Sequence, residues 1–110
     1  MARIIHRRDE AQTDLHNHAT YIAKDNLSAA LRFLDAAEDA FERLAEMPGI
    51  GAVRDYKNSA LTGMRMWPLS DFPNYLIFYL ATEVELEVLR VLHGAQDADK
   101  IFSPQRRRRR

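Results

Sequence analysis

Apolar residues are densest in two late runs of the chain, at residues 72–80 and 88–92. Tyr, Ile, Phe and Val dominate both runs and suit a pleated, packed surface, whereas Pro73 and Asn74 near the start of the first run signal a turn. The short segment 81–83 between the runs is long enough for a hairpin. The pattern therefore predicts two adjacent antiparallel strands in the middle of a sheet.

The second of these strands changes character along its length. Apolar residues alternate with two glutamates over residues 84–88, and then every residue up to 92 except Arg90 is apolar. The strand is thus expected to pass from a half-exposed edge into the interior, where an arginine is unusual. Two interpretations of Arg90 remain: an ion pair with Asp71 or Asp97, which we favour, and contact with a binding partner.

The first half of the chain shows helical spacing after a short strand at residues 3–7. Asp9 and Gln12 form a capping-box arrangement that predicts a first helix over residues 9–24. Either Asn26 or Ser28 then caps a second helix. The apolar face of that helix is expected to be Ala30, Phe33, Ala37, Ala40, Phe41 and Leu44.

Proline and glycine end the second helix at residues 47–51, and a loop of mixed polarity follows. Residues 61–69 predict another strand, with Arg65 and Trp67 on one face and Met64 and Met66 on the other. The element order is strand, helix, helix, strand, strand, strand. It predicts an α+β fold in which a helical hairpin packs on one face of a four-stranded, antiparallel-rich sheet.

Length and composition limit the organisation further. A chain of 110 residues with 46% apolar content is expected to form one domain, over residues 1–105, followed by a disordered arginine run at 106–110. It has no cysteine, no apolar stretch of about 18 residues and several charges near its start, so we expect neither a signal peptide nor a membrane span. These features predict a cytoplasmic protein.

The formal net charge of zero hides an acidic body. Without the five terminal arginines, eleven basic residues face sixteen acidic ones. Such a body is unsuited to general or sequence-specific nucleic-acid binding, which depends on clustered Lys and Arg. The arginine run is either a terminal feature, which we favour, or a phosphate-binding arm.

The histidines do not predict a catalytic or metal site. His6, His16 and His18 are expected on polar surfaces, and residues two apart on a helix point in different directions. His93 ends an apolar strand, where a capping or core-edge role is favoured over a catalytic one. No metal and no cofactor is expected.

Three segments carry a family resemblance: residues 67–69, 72–79 and 90–94. Together with residues 14–33, they resemble toxins of the RelE/ParE superfamily, and within it the ParE branch. The resemblance implies the same βααβββ fold and a place in a type II toxin–antitoxin system, with roles in plasmid stabilisation and growth inhibition.

The RelE branch cleaves messenger RNA on the ribosome, using lysines, arginines and a tyrosine. The corresponding positions here are Leu76, Gln96 and Phe102, none of which provides that chemistry. We therefore expect a protein that is not an enzyme and has no catalytic residues. A RelE-like ribonuclease and a non-toxic antitoxin-binding member remain as alternatives.

The ParE branch implies inhibition of DNA gyrase by binding, and neutralisation by a ParD-like antitoxin in a hetero-oligomer. Candidate target-binding residues are Arg65, Trp67, Arg90 and His93. Core packing is an equal alternative for Trp67. Candidate antitoxin-binding residues, on an alanine-rich helical surface, are Ala29, Ala36, Ala40 and Met47.

Overall fold

The structure, a computed structural model, describes residues 2–104, so the arginine run lies outside the described residues. The strands are β1 (Ile4–Arg7), β2 (Ala52–Val53), β3 (Arg65–Leu69), β4 (Phe72–Ala81) and β5 (Glu85–His93). The helices are α1 (Asp9–Ala23), α2 (Leu27–Glu46) and α3 (Ala98–Phe102), with short 3₁₀ turns at Pro48–Ile50 and Ser59–Leu61. The α+β class and the helical hairpin are confirmed.

In the described part of the chain the sheet has five strands in the order β1-β5-β4-β3-β2, so the predicted count of four is wrong. β1 lies parallel to β5, and the other neighbouring strands are antiparallel. The missed strand, β2, pairs Ala52 with Met66 and Val53 with Arg65. Two residues are too few to show alternation, which is why the sequence pattern indicated a loop there.

β3 is shorter than predicted, because it begins at Arg65 instead of at residue 61. The preceding residues form a 3₁₀ turn, in which the Asn58 side chain accepts a hydrogen bond from the Ala60 amide. The expected alternation of faces is confirmed: Met64 and Met66 pack in one core and Trp67 against the other.

The antiparallel β4–β5 hairpin is confirmed. Its residue pairs run from Tyr75 opposite His93 to Ala81 opposite Leu86. Its register shifts between Phe78 and Tyr79, at a β-bulge. Val84, predicted as part of the alternating strand, instead lies 70% exposed in the turn. The hydroxyl of Thr82 accepts hydrogen bonds from the amides of Val84 and Glu85 and closes that turn.

The helix starts differ in how well they were predicted. Asp9 is not the N-cap of α1: Arg8 occupies that position in an extended conformation, without a side-chain capping bond. The Asp9 carboxylate instead lies in the first turn, where its negative charge interacts favourably with the helix dipole. Asn26 rather than Ser28 caps α2, accepting a hydrogen bond from the Ala29 amide at 2.9 Å.

Residues 2–104 form two hydrophobic cores, which lie on opposite faces of the sheet. The larger core joins the hairpin to the sheet and contains every residue of the predicted apolar face of α2 except Ala30, which is buried outside that cluster. The smaller core contains Met64, Phe78, Leu89, Leu92 and Phe102. Residues of α3 also pack against this smaller core. Within residues 2–104, no helix is long and apolar enough to cross a membrane.

Candidate partner-binding site

An open groove with a volume of about 610 Å³ lies between α2 and the β3–β4 turn. Ala36 and Ala40 lie on its helix side, and Trp67 lies on its strand side. The sequence had assigned the two alanines to antitoxin binding and the tryptophan to target binding, but the structure brings them together. The lining residues are Arg32, Asp35, Ala36, Asp39, Ala40, Arg43, Trp67, Ser70 and Asp71.

Local structure explains how these residues come to share one groove. Each α2 member has another member three or four residues away along the helix, so they lie on one side of it. Trp67 alternates with the methionines of the smaller core and therefore points towards the helical face of the sheet. Asp71 lies in the tight turn after β3 with φ of 67°, a left-handed conformation that Asp tolerates better than most residues.

The groove is rich in charges that have no ion-pair partner within residues 2–104. The ion pairs found there are Arg7–Glu38, Arg8–Glu87 and Arg90–Asp14. None of them includes a groove residue, although Arg32 donates a hydrogen bond to the Ser28 hydroxyl at 2.9 Å. The sequence pattern did not predict the groove, because it does not bring the β3–β4 turn near α2.

The other two antitoxin candidates lie outside the groove lining. Ala29 is partly buried in the first turns of α2. Met47 is 55% exposed at the C-cap of the same helix. The groove therefore unites only half of the predicted antitoxin surface.

Arg90 is held by a carboxylate that the sequence analysis did not identify. Its partner is Asp14 of α1, not Asp71 or Asp97: Nε lies 2.8 Å from Oδ2 and Nη2 2.9 Å from Oδ1. Asp14 is only 6% exposed. The hydrogen bonds between Arg90 and Asp14 raise the pKa of Arg90, and burial of the guanidinium opposes that effect. Two of the guanidinium nitrogens are thus committed within the chain.

Asp14 and His18 together form hydrogen bonds with the backbone of β5 at the edge that β1 no longer covers. The amide of Val91 donates to Asp14 Oδ2 at 2.9 Å, and His18 Nε2 lies 2.8 Å from the Val91 carbonyl oxygen. Residues four apart on a helix share a face, which lets α1 provide both contacts. The surface position predicted for His18 is therefore wrong, whereas His6 and His16 are exposed as expected.

His93 caps the turn that follows β5, as the favoured interpretation predicted. Its Nδ1 accepts a hydrogen bond from the Ala95 amide at 3.1 Å, and its own amide donates to Gln96 Oε1 at 2.7 Å. The His93 ring meets that of Tyr75 edge-on, with centroids 4.9 Å apart.

Burial raises the pKa of Tyr75, and the charge of ionised Tyr21 adds to that effect.

Arg65 holds the loop that follows α2. Its Nη1 donates to the Gly51 carbonyl oxygen at 2.7 Å. From the same sheet, the Tyr79 hydroxyl donates to the Pro48 carbonyl oxygen at 2.5 Å and accepts from the Gly51 amide at 3.0 Å. Burial raises the pKa of Tyr79, although the Gly51 hydrogen bond and Arg65 oppose the change. Arg65 therefore has a structural contact besides any role in target binding.

The three positions that the sequence resemblance aligned with RelE catalytic residues serve packing and turn formation in the structure. Phe102 is 5% exposed, with its ring centroid 4.8 Å from that of Phe78. Leu76 packs against the same core. Gln96 accepts the His93 amide hydrogen bond described above.

Comparison with known proteins identifies the class. The family model for the ParE toxin of the type II toxin–antitoxin system parDE matches residues 5–98, and the chain therefore belongs to the ParE toxin family. The fold is also similar to a solved structure described as a chromosomal ParDE TA system from P. aeruginosa. That match has a TM-score of 0.65 and 17% identity, and it covers 84% of this chain and 96% of the other. Comparison with curated proteins finds no match.

Proposed function

We propose that this chain is a toxin that inhibits DNA gyrase by binding it, and that a ParD-like antitoxin neutralises it in a hetero-oligomer. The observation that carries the proposal is the match to the ParE toxin family over residues 5–98. The similar solved structure, which is described as a ParDE system, supports the antitoxin partner.

The contacts at the RelE-related positions support action by binding rather than by catalysis. Cleavage of RNA without a metal needs a base, an acid and cationic groups around the phosphate. Leu76 and Phe102 are instead part of an apolar cluster. The acidic body also disfavours binding to ribosomal RNA.

A gyrase assay tests the proposed activity. Purified protein is mixed with gyrase and plasmid DNA, and supercoiling and cleavage are measured beside an in-vitro translation reaction, with and without residues 106–110. We expect stabilised cleaved DNA and intact translation. Codon-linked messenger cuts with unaffected gyrase would identify a ribonuclease, and no effect in either reaction would indicate a non-toxic member.

Co-purification tests the antitoxin partner. Ala36→Arg places a long charged side chain in the groove, whereas Thr13→Arg places the same side chain at an exposed position on α1. We expect the first variant, checked for folding by circular dichroism, to retain less ParD-like antitoxin than the second. Equal retention by both variants would show that the antitoxin does not use the groove.

A further inference from the structure

We propose that the groove between α2 and the β3–β4 turn binds a helical antitoxin segment whose charges run acidic, basic, basic, acidic along one face. This inference rests on the antitoxin partner of the proposed function and specifies the chemistry of the bound segment. Four charged side chains of α2, the carboxylate of the β3–β4 turn and the small residues of the groove carry it.

The charged α2 residues that line the groove form a row whose order of charges is symmetric. Arg32, Asp35, Asp39 and Arg43 follow one another at spacings of three, four and four residues, so two basic ends enclose an acidic middle. At the rise of an α-helix the row is about 17 Å long. The order reads the same in both directions, so a partner helix with the opposite order matches it whichever way it lies.

The wall of the groove opposite α2 adds a further negative charge beside the two aspartates at the middle of the α2 row. Asp71 lies across the groove in the β3–β4 turn, and none of the ion pairs within residues 2–104 includes it or the α2 aspartates. Three carboxylates therefore border the groove. Basic residues in the middle of the bound segment face them, and acidic residues at its ends face the two arginines.

The small side chains of the groove suit a helix. Ala36 and Ala40 are small enough to let a partner backbone approach α2 closely. Trp67, half-buried against the larger core, offers an apolar surface of the type that dominates interface energies. An extended segment is disfavoured here, because β2 already pairs with Arg65 and Met66 of β3, and Pro68 farther along β3 has no amide hydrogen to donate to an added strand.

Two labelled peptides of identical composition test the proposal. Both are alanine-rich helices with the same leucine face, and they carry charges at the spacing of the α2 row. One has the order Glu, Lys, Lys, Glu, and the other has Lys, Glu, Glu, Lys. Fluorescence anisotropy with the whole purified chain should show about tenfold tighter binding of the first peptide. Added salt should reduce the difference.

Matched charge reversals locate the effect. Asp35→Lys with Asp39→Lys should abolish the preference for the first peptide. Glu83→Lys with Glu85→Lys, an equal charge change beside the exposed β4–β5 turn, should leave the preference intact. Circular dichroism verifies that both double variants fold.

Three results would overturn the proposal: equal affinities of the two peptides, no binding of either, or loss of the preference in the Glu83 and Glu85 variant. They are distinguishable from failure of the proposed function. A ParD-like antitoxin that co-purifies with the chain while the peptides show no preference contradicts only the groove. Lack of a complex with any ParD-like antitoxin contradicts the partner itself.

Discussion

At the scale of single residues, the contact that joins helix to sheet is the buried carboxylate of Asp14. It binds the guanidinium of Arg90 and the amide of Val91 at the same time. An isolated buried charge is costly, so such a group is retained only where its partners are all in place.

We expect Asp14→Ala to lower the free energy of unfolding by about 2–4 kcal/mol, because it leaves a partly buried guanidinium and a buried amide without a partner. Urea denaturation measures the change. Glu38→Ala, which removes the more exposed Arg7 pair, is the control and should cost about 1 kcal/mol or less. Equal losses would contradict the importance assigned to Asp14.

The raised pKa of Tyr79 predicts that the free energy of unfolding depends on pH in the alkaline range. Its pKa is raised above the ordinary value of 10.0, so the unfolded chain loses the phenolic proton at a lower pH than the folded chain. The stability that it contributes is therefore complete below pH 10.0 and is lost as pH rises through the folded-state pKa. Tyr75 acts in the same direction.

Tyr79→Phe should make the loss of stability between about pH 9 and about pH 11 shallower than in the parent chain. Near neutral pH it should lower the free energy of unfolding by about 1–2 kcal/mol, because the bonds to Pro48 and Gly51 are lost. Urea titrations at several pH values measure both effects. An unchanged alkaline slope would show that Tyr79 does not govern it.

At the scale of elements, α3 is a short helix whose one fully buried residue is the aromatic Phe102. Phe102 enters the smaller core, and the Asn58 side chain donates a hydrogen bond to its carbonyl oxygen at 3.0 Å. A helix of five residues is not stable by itself, so this packing holds it on the sheet.

Phe102→Ala should lower the free energy of unfolding by about 3 kcal/mol, since it opens a cavity beside Phe78 and Tyr56. Lys100→Ala, at an exposed position of the same helix, should change it by about 0.5 kcal/mol or less. Denaturant unfolding compares the two variants. A small loss from Phe102→Ala would mean that α3 contributes little to the core.

Sequence patterns identified the long elements but not the contacts between distant ones. The spacing of Phe33, Phe41 and Leu44 fixes the buried face of α2, because local periodicity determines which side is apolar. β2 was too short to have a pattern. The Asp14–Arg90 pair joins residues 76 positions apart, and the groove joins α2 to a distant turn. Local spacing contains no information on either contact.

At the scale of the whole molecule, the first strand completes the sheet beside the last. β1 pairs in parallel with β5, matching Ile5 with Leu86 and Arg7 with Val88. Both β5 partners are fully buried, so their strand needs a neighbour on that side.

Deletion of residues 2–7 should abolish the folded monomer, because it removes this neighbour and the packing of Ile5 on the larger core. Size-exclusion chromatography and circular dichroism should show aggregated or unfolded protein. Ile4→Lys, at a position that is 72% exposed, is the control and should leave the monomer intact. A monomeric, folded deletion variant would contradict this role of β1.

The parallel pairing also sets an order of events during synthesis. Ile4 is made roughly 80 residues before its partner Glu85, which at about 5–20 residues per second is a delay of roughly 4–16 s. The helical hairpin is complete long before that time, but β1 has no strand to join. A nascent chain thus contains both hairpin helices before β5 is made, and β1 can enter the sheet only after residues 85–88 have been synthesised.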